Sequence, residues 1–385
     1  MEPVLRISRG GALALSLSGL TPEQADVLAS IAKSTDCGAG SSPAPFSFST
    51  RSGTTDGRHS AIVLTGAPDQ LKRLKPLLAA NRRIPSSLTR QLDSLLDNYL
   101  RSDYKIDCRG KILDLGSRTH VMGILNVTPD SFSDGGLYAD PERARAHARE
   151  MAAAGADIID IGGESTRPGA EPLSEAEELR RIIPLIELLS AELPIPVSVD
   201  TYKASVAKKA LEAGAGIVND ISGLRFSPDM AKVVADAGAA VVIMHIKGTP
   251  RDMQQNPEYD DLVGEVMSYL AEGIEIAVKA GVDREKTLID PGIGFGKTLE
   301  HNLLLLDRLD EFRCLGRPIV LGTSRKKFIG AVLGIPVPEQ RVYGTAATVA
   351  LGIERGAHIV RVHDVGPMAE VARMTDGLRR INCRT

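Results

Sequence analysis

The sequence predicts an α/β protein: a (β/α)8 TIM barrel preceded by a small α+β N-terminal domain. Three observations carry this expectation. Eight short apolar runs follow one another along the chain, at 121–125, 158–161, 197–199, 217–218, 240–244, 287–289, 319–321 and 358–362. Helical patterns lie between most of them, as at 141–154, 174–189 and 257–280. Apolar strands alternating with helices mean a parallel sheet buried on both faces. The stretch holding all eight is about 265 residues long, close to the ~250 that a barrel of this kind needs. A doubly wound open sheet is the alternative, but it usually has fewer strands and a Gly-rich first turn.

Ahead of residue 105 the texture differs, so the expected domains are 1–104 and 105–385. Residues 12–19 (ALALSLSG) alternate apolar and small polar side chains like a strand. Thr21, Pro22 and Gln24 then read as N-cap, first helical position and capping-box partner, opening a helix to about Lys33. A loop at 37–45 leads to two more strands, 46–51 and 61–65. Pro68 and Asp69 open another helix, and leucines at helical spacing mark a third at 87–100. No motif in this part carries chemistry. A stability or oligomerisation role is expected.

Composition narrows the function. Of 385 residues, 43% are hydrophobic and 25% charged, values of a folded globular protein. Lys and Arg (46) nearly balance Asp and Glu (49), so neither a general nucleic-acid binder nor a membrane-surface binder is expected. Aromatic residues make up 4%, with no Trp, too few to stack on single-stranded nucleic acid. No apolar run approaches the ~18 residues of a membrane span, and the opening MEPVLRISRGG lacks a secretory layout. Cys37, Cys108, Cys314 and Cys383 stand far apart, which argues against a zinc site or disulfide framework and suits the cytoplasm.

In a barrel the chemistry sits at the carboxyl ends of the strands. Each apolar run here is followed by polar or Gly-rich residues: Asn126, then 162–167, Asp200, Asn219 and Asp220, His245, Asp290, 322–326 and 361–364. Any one of these serves as an ordinary helix cap, but all eight would converge on one mouth. Asp200, Asn219 and Asp290, above an apolar floor of Met244 and Ile221, suit a flat heterocycle with ring N–H and amino donors. Arg361 and His363, read as alternate residues of one strand, point one way with Arg361 placed for an anion, and Ser324, Arg325 and Lys326 add donors beside them. The run PGIGFGKT (291–298) imitates a phosphate loop, but Pro291 stands where the first Gly belongs, so its glycines read as close backbone passage. His245 reads as a structural histidine. Two polar Gly/Pro-rich segments, 127–138 and 163–172, read as loops over the mouth.

The segments GILNVTPDSFSDGG (123–136) and DIGGESTRPG (160–169) resemble the two signatures of the dihydropteroate synthase family. SVDT (198–201), NDISG (219–223), DPGIGFG (290–296), SRK (324–326) and RVH (361–363) continue the resemblance in order over about residues 105–385. It implies a cytoplasmic transferase of folate biosynthesis, joining 6-hydroxymethyl-7,8-dihydropterin pyrophosphate to 4-aminobenzoate and releasing pyrophosphate. By position it implies a pterin slot of Asp200, Asn219, Asp290 and Lys326, lined by Ile221, Met244 and Gly322. Asn126, Arg361 and His363 would take pyrophosphate and Mg2+, with Asn126 as the metal contact. Thr166, Arg167, Pro168, Phe295 and Ser324 would take 4-aminobenzoate, where sulfonamides compete.

Asp134, Lys326, Arg361 and His363 would carry the catalysis, Asp134 supporting a cationic pterin methylene. A neutral arylamine needs no strong base, which agrees with the lack of a Ser/His/Asp arrangement. Pyrophosphate capture would then draw both loops over the mouth and complete the aminobenzoate pocket. The resemblance also suggests a homodimer through late barrel helices, where GTAATVALG (344–352) is rich in small residues. A pterin-binding methyltransferase using a tetrahydrofolate, and a non-catalytic pterin-binding protein, are the alternatives.

Overall fold

The computed structural model describes residues 4–7, 13–36, 47–52, 60–66, 68–127, 141–166 and 169–382. By their contacts these fall into two units, Met1–Arg101 with Asp310–Gly316, and Ser102–Leu309 with Arg317–Thr385. The first unit runs β1 (Val4–Ile7), β2 (Leu13–Leu20), α1 (Pro22–Asp36), β3 (Ser47–Ser52), β4 (Ser60–Gly66), α2 (Pro68–Ala80) and α3 (Ser86–Leu100). Its antiparallel sheet has the order β1-β2-β4-β3. The capping box read at Thr21 is present: the Thr21 N–H donates to Gln24 Oε1 (2.9 Å) and the Gln24 N–H to Thr21 Oγ1 (3.2 Å). Leu88, Leu92, Leu96 and Tyr99 form the buried stripe of α3, packed with Leu28, Leu74 and Leu78. Cys314 completes this core, and its carbonyl accepts a hydrogen bond from Asn98 Nδ2 (2.9 Å).

The second unit opens with a hairpin, β5 (Lys105–Cys108) and β6 (Lys111–Asp114), turned at Arg109 and Gly110 with both φ positive. That turn type matches the natural twist of a two-residue hairpin. All eight apolar runs are strands: β7 (His120–Asn126), β8 (Ile158–Gly162), β9 (Val197–Asp200), β10 (Ile217–Asp220), β11 (Ala240–Met244), β12 (Thr287–Asp290), β13 (Ile319–Leu321) and β14 (Ala357–Val362). They pair in parallel in that order, and β14 pairs with β7 to close the barrel.

The intervening helices are α4 (Pro141–Ala153), α5 (Glu175–Glu192), α6 (Ala204–Glu212), α7 (Met230–Ala237), α8 (Leu262–Lys279), α9 (Leu299–Asp307), α10 (Lys327–Leu333), α11 (Val342–Glu354) and α12 (Val365–Asn382). Helix α8 starts later than the expected 257 because Asp261 caps it, its carboxylate accepting from the Gly264 N–H (3.2 Å).

The amino ends of the strands are sealed. Tyr104, Ile106, Cys108, Leu113 and Leu115 of the hairpin segment pack against Met122, Ile158, Ile217, Val242, Leu288, Val320 and Ile359 from the strands. Lys111 donates to the carbonyls of Ser190, Leu193 and Ile195 (2.7–3.1 Å), at the end of α5. Arg109 does the same for Leu211 and Ala215 (2.5 and 2.9 Å), in the last turn of α6 and just past it. Two cations thus add donors to carbonyls at and just past two helix ends, where positive charge is favoured. Among the described residues no helix is long and apolar enough to cross a membrane.

Candidate active site

The strand register assembles the opposite end. Asn126 on β7 stands beside Gly162 on β8, Gly162 beside Asp200 on β9, and Asp200 beside Asn219 on β10. Gly162 leaves room between its neighbours: a Cβ there would lie 3.5 Å from Asn126 Oδ1 and 3.6 Å from Asp200 Cβ. Farther round, Met244 on β11 pairs with Asp290 on β12. Ile221, Met244, Asn219, Asp200 and Asp290 are all buried.

Arg361 organises the charges. Its Nε donates to Asp160 Oδ2 and its Nη2 to Asp200 Oδ2, each at 2.6 Å. Asn219 Nδ2 donates to the same Asp160 oxygen (3.1 Å). The second oxygens, Asp160 Oδ1 and Asp200 Oδ1, are buried without a hydrogen-bond partner among the described residues. Burial, reinforced by Asp160 and working against Arg361, pushes the Asp200 carboxyl up to about 7. Unsatisfied buried oxygens at a strand end are costly to leave and are the signature of a site awaiting donors.

Gly322 sits at the centre of a second group. A Cβ there would lie 3.9 Å from each of Arg361 Cβ, Asp290 Oδ2 and Lys326 Nζ, so the three groups face one small space beside it. Burial raises the Asp290 carboxyl, and it lowers the Lys326 ammonium to about 8. Lys326 donates to the Ile293 carbonyl and lies 4.7 Å from the centre of the Phe295 ring. Between Ser324 and Lys326 the chain passes through Arg325 at φ +59°, a left-handed conformation that costs a non-glycine residue energy. Its surroundings hold it there: the Arg325 N–H donates to Thr345 Oγ1 (3.1 Å), its guanidinium to Asp364 (3.0 and 2.6 Å), and its carbonyl accepts from Arg341 (2.8 Å). The strained turn aims Ser324 and Lys326 into the mouth.

Two expectations need correction. Arg361 and His363 are not alternate residues of one strand, because β14 ends at Val362. His363 lies past the end, where its N–H donates to Ser324 Oγ and its Nδ1 shares a hydrogen bond with the same oxygen, both at 3.1 Å. The small residues of 344–352 also have another use. Cβ atoms on Gly344 and Gly352 would stand 2.3 Å from Ile329 and 2.1 Å from Leu321, so these glycines seat α11 against its own barrel.

Of the other expected site residues, Thr166 is half-buried on the loop after β8, while Asp134, Arg167 and Pro168 lie outside the described residues, as does 128–138 of the first loop. The phosphate-loop imitation is a backbone crossing. Gly292 has φ +68°, and a Cβ on it would meet the His245 carbonyl at 1.8 Å. His245 is structural, sharing a hydrogen bond with Lys297 Nζ (2.9 Å), and Lys297 also donates to the Phe295 carbonyl (2.9 Å). Burial and this lysine push the His245 imidazole down to about 2.

Sequence reasoning assigned no role to Asp160, Lys297, Lys203 or the turn at Arg325. For Asp160 a signal existed: a charged residue inside the otherwise apolar run IIDIG, in a strand buried on both faces.

The comparisons with known proteins fall on this same unit. A family model described as "Pterin binding enzyme" matches residues 122–363. The dihydropteroate synthase of Bacillus subtilis is 52% identical over 275 residues, 71% of this chain and 93% of that protein. The chain belongs to the dihydropteroate synthase family. The structure of the Yersinia pestis dihydropteroate synthase with a sulfonamide drug superposes with a TM-score of 0.70 at 45% identity, over 72% of this chain and 99% of that one. That of Xanthomonas albilineans with 4-aminobenzoic acid gives 0.67 at 47%, over 72% and 98%. As a dihydropteroate synthase of (β/α)8 fold, this protein is a transferase of folate biosynthesis.

Proposed function

We propose that this mouth binds 6-hydroxymethyl-7,8-dihydropterin pyrophosphate inside the strand ends and 4-aminobenzoate outside them, and joins the two. The observation that carries this is the charge layout: buried acceptors on Asp200, Asn219 and Asp290 stand next to the cations of Lys326 and Arg361. The unpartnered Asp200 oxygen and the Asp290 carboxylate accept from the pterin's ring and amino donors, while Ile221 and Met244 flank its faces. Asp160 and Asp200 hold two edges of the Arg361 guanidinium, which leaves Nη1 without a partner among the described residues. That edge, with His363, receives the pyrophosphate.

The methylene–oxygen bond breaks with both electrons leaving on pyrophosphate, and the donors hold the developing charge. The arylamine lone pair then forms the C–N bond, and the nitrogen releases a proton to solvent. Thr166, Phe295 and Ser324, with Arg167 and Pro168, surround the aminobenzoate; Asp134 supports the cationic methylene.

Among the described residues no group of three His, Cys, Asp or Glu side chains is placed to hold a metal. This donor set fits a Mg2+ held mainly by pyrophosphate oxygens and water, with Asn126 Oδ1 as its protein ligand. When bound, the ion adds charge neutralisation on the leaving group. We also assign a homodimer to the late helices. Exposed Leu303 of α9, Val332 and Leu333 of α10, Tyr343 of α11, and Met374, Leu378 and Ile381 of α12 offer apolar surface for a second copy.

Incubation with the pterin pyrophosphate, Mg2+ and 4-aminobenzoate should release pyrophosphate and form 7,8-dihydropteroate in equal amounts. Tight pterin binding without either product would defeat the transferase reading and favour a pterin-binding protein without this chemistry.

A further inference from the structure

The residue after Tyr202 on the turn leaving β9 reaches into the neighbouring loop. Lys203 Nζ contacts the carboxylate of Glu164, that of Glu178 (2.7 Å) and the carbonyl of Leu173 (2.7 Å). Glu164 lies at the start of the loop that follows β8, and Leu173 lies at its end, just before the Ser174 cap of α5. One ammonium therefore touches both ends of the loop. Tyr202 fastens the first end again, its hydroxyl donating to Glu164 Oε1 (2.6 Å). The Lys203, Glu164 and Glu178 side chains are only 14%, 8% and 1% exposed, so water competes little for these bonds. A surface ion pair would fix nothing, whereas a desolvated one with three acceptors defines a geometry.

We infer that Lys203 is a positioning residue for the second substrate: it clamps the two ends of the 163–172 loop and so sets the place of Thr166 between them. This rests on the reading that the loop lines the aminobenzoate pocket. Lys203 does not touch the reacting atoms. It belongs to the turn that follows Asp200, so the strand given to the pterin also supplies the brace for the arylamine side.

Steady-state kinetics of the full-length chain test this. Lys203→Met keeps the aliphatic stem and removes the ammonium. The KM for 4-aminobenzoate should rise by at least about tenfold, as when a supporting contact behind a binding group is lost, while the KM for pterin pyrophosphate stays unchanged. Thr166→Ala should raise the same KM, and the double variant should be less impaired than the product of the single effects, because both act through one loop.

If Thr166→Ala raises that KM and Lys203→Met does not, the clamp is wrong while the pocket stands. If Thr166→Ala has no effect, the pocket reading fails and the clamp falls with it. A parallel rise in both KM values, or a loss of kcat alone, reduces Lys203 to a general structural role and overturns the inference. Should Lys203→Met not fold, Glu164→Gln weakens the same clamp while keeping the side chain's size. It should then give the same split between the two KM values, and no split overturns the inference.

Discussion

The two ends of the barrel are built from the same eight strands and treat charge in opposite ways. At the closed end, Lys111 and Arg109 donate to backbone carbonyls at helix ends, and the hairpin fills the middle with Ile106, Cys108 and Leu113. At the open end, Asp160, Asp200 and Asp290 are buried around Arg361 and Lys326, and two carboxylate oxygens lack partners among the described residues. One end sets its cations against backbone carbonyls; the other buries carboxylate oxygens that a ligand's donors can complete. Stability and binding are thus separated along the strand direction, and perturbing each end should separate them in experiment.

The largest expected effect lies at the closed end. Ile106→Ala removes a fully buried side chain and should cost about 2–5 kcal/mol of stability in denaturant unfolding. Its kcat/KM should stay at the parent value wherever the protein remains folded; a changed KM would mean that the two ends are coupled. At the open end, Arg361→Ala should cost about 2–4 kcal/mol in kcat/KM by removing donors from the leaving group. An unchanged kcat/KM for the pterin pyrophosphate would leave Arg361 as a counter-ion for two aspartates and nothing more.

Smaller changes sharpen the same contrast. Asp290→Asn keeps the shape but turns a donor toward the pterin's own donors, and calorimetry should show at least about tenfold weaker pterin binding, roughly 1.4 kcal/mol. Equal affinities would return Asp290 to its other visible task, accepting the Gly292 N–H at 2.7 Å.

Last comes pH. Asp200 takes a proton as pH falls through about 7 and then presents a donor where an acceptor is needed, whereas Lys326 loses its charge as pH rises through about 8. The kcat/KM for pterin pyrophosphate should therefore be bell-shaped, with its maximum between those values and limbs of about tenfold per pH unit. Lys326→Arg should carry the alkaline limb upward, since a guanidinium does not titrate there. A limb that does not move would assign it to another group.

What was legible in the sequence follows from which forces are local. Strand runs such as 240–244 and the Thr21 capping box depend on neighbours in the chain, so their pattern was readable and their bounds nearly so. The strand ends were readable as well, because parallel pairing leaves each run's last residues at one rim; Asn126, Asp200, Asn219 and Asp290 stand there. What escaped depends on partners far away in sequence. Arg361 meets Asp160 and Asp200 only across the closed barrel, 201 and 161 positions away. The joining of 310–316 to the first unit's core through Cys314 leaves no local pattern. The left-handed Arg325 is imposed by Thr345, Arg341 and Asp364, none of them adjacent.

The sealed hairpin end also governs traffic. Among the described residues, Tyr104, Ile106 and Leu113 plug the amino end of the barrel, which leaves the other end as the doorway for substrates and products. Asp200 and Asp290 stand on the strands themselves, while Thr166 and Phe295 stand on loops beyond them. If the pterin lies against the strands and 4-aminobenzoate against those loops, as proposed above, the pterin passes the outer place on its way in, and an occupant there delays whatever lies behind it. Order of arrival becomes a matter of queueing in a dead-end passage, where the inner place has to fill before the outer one.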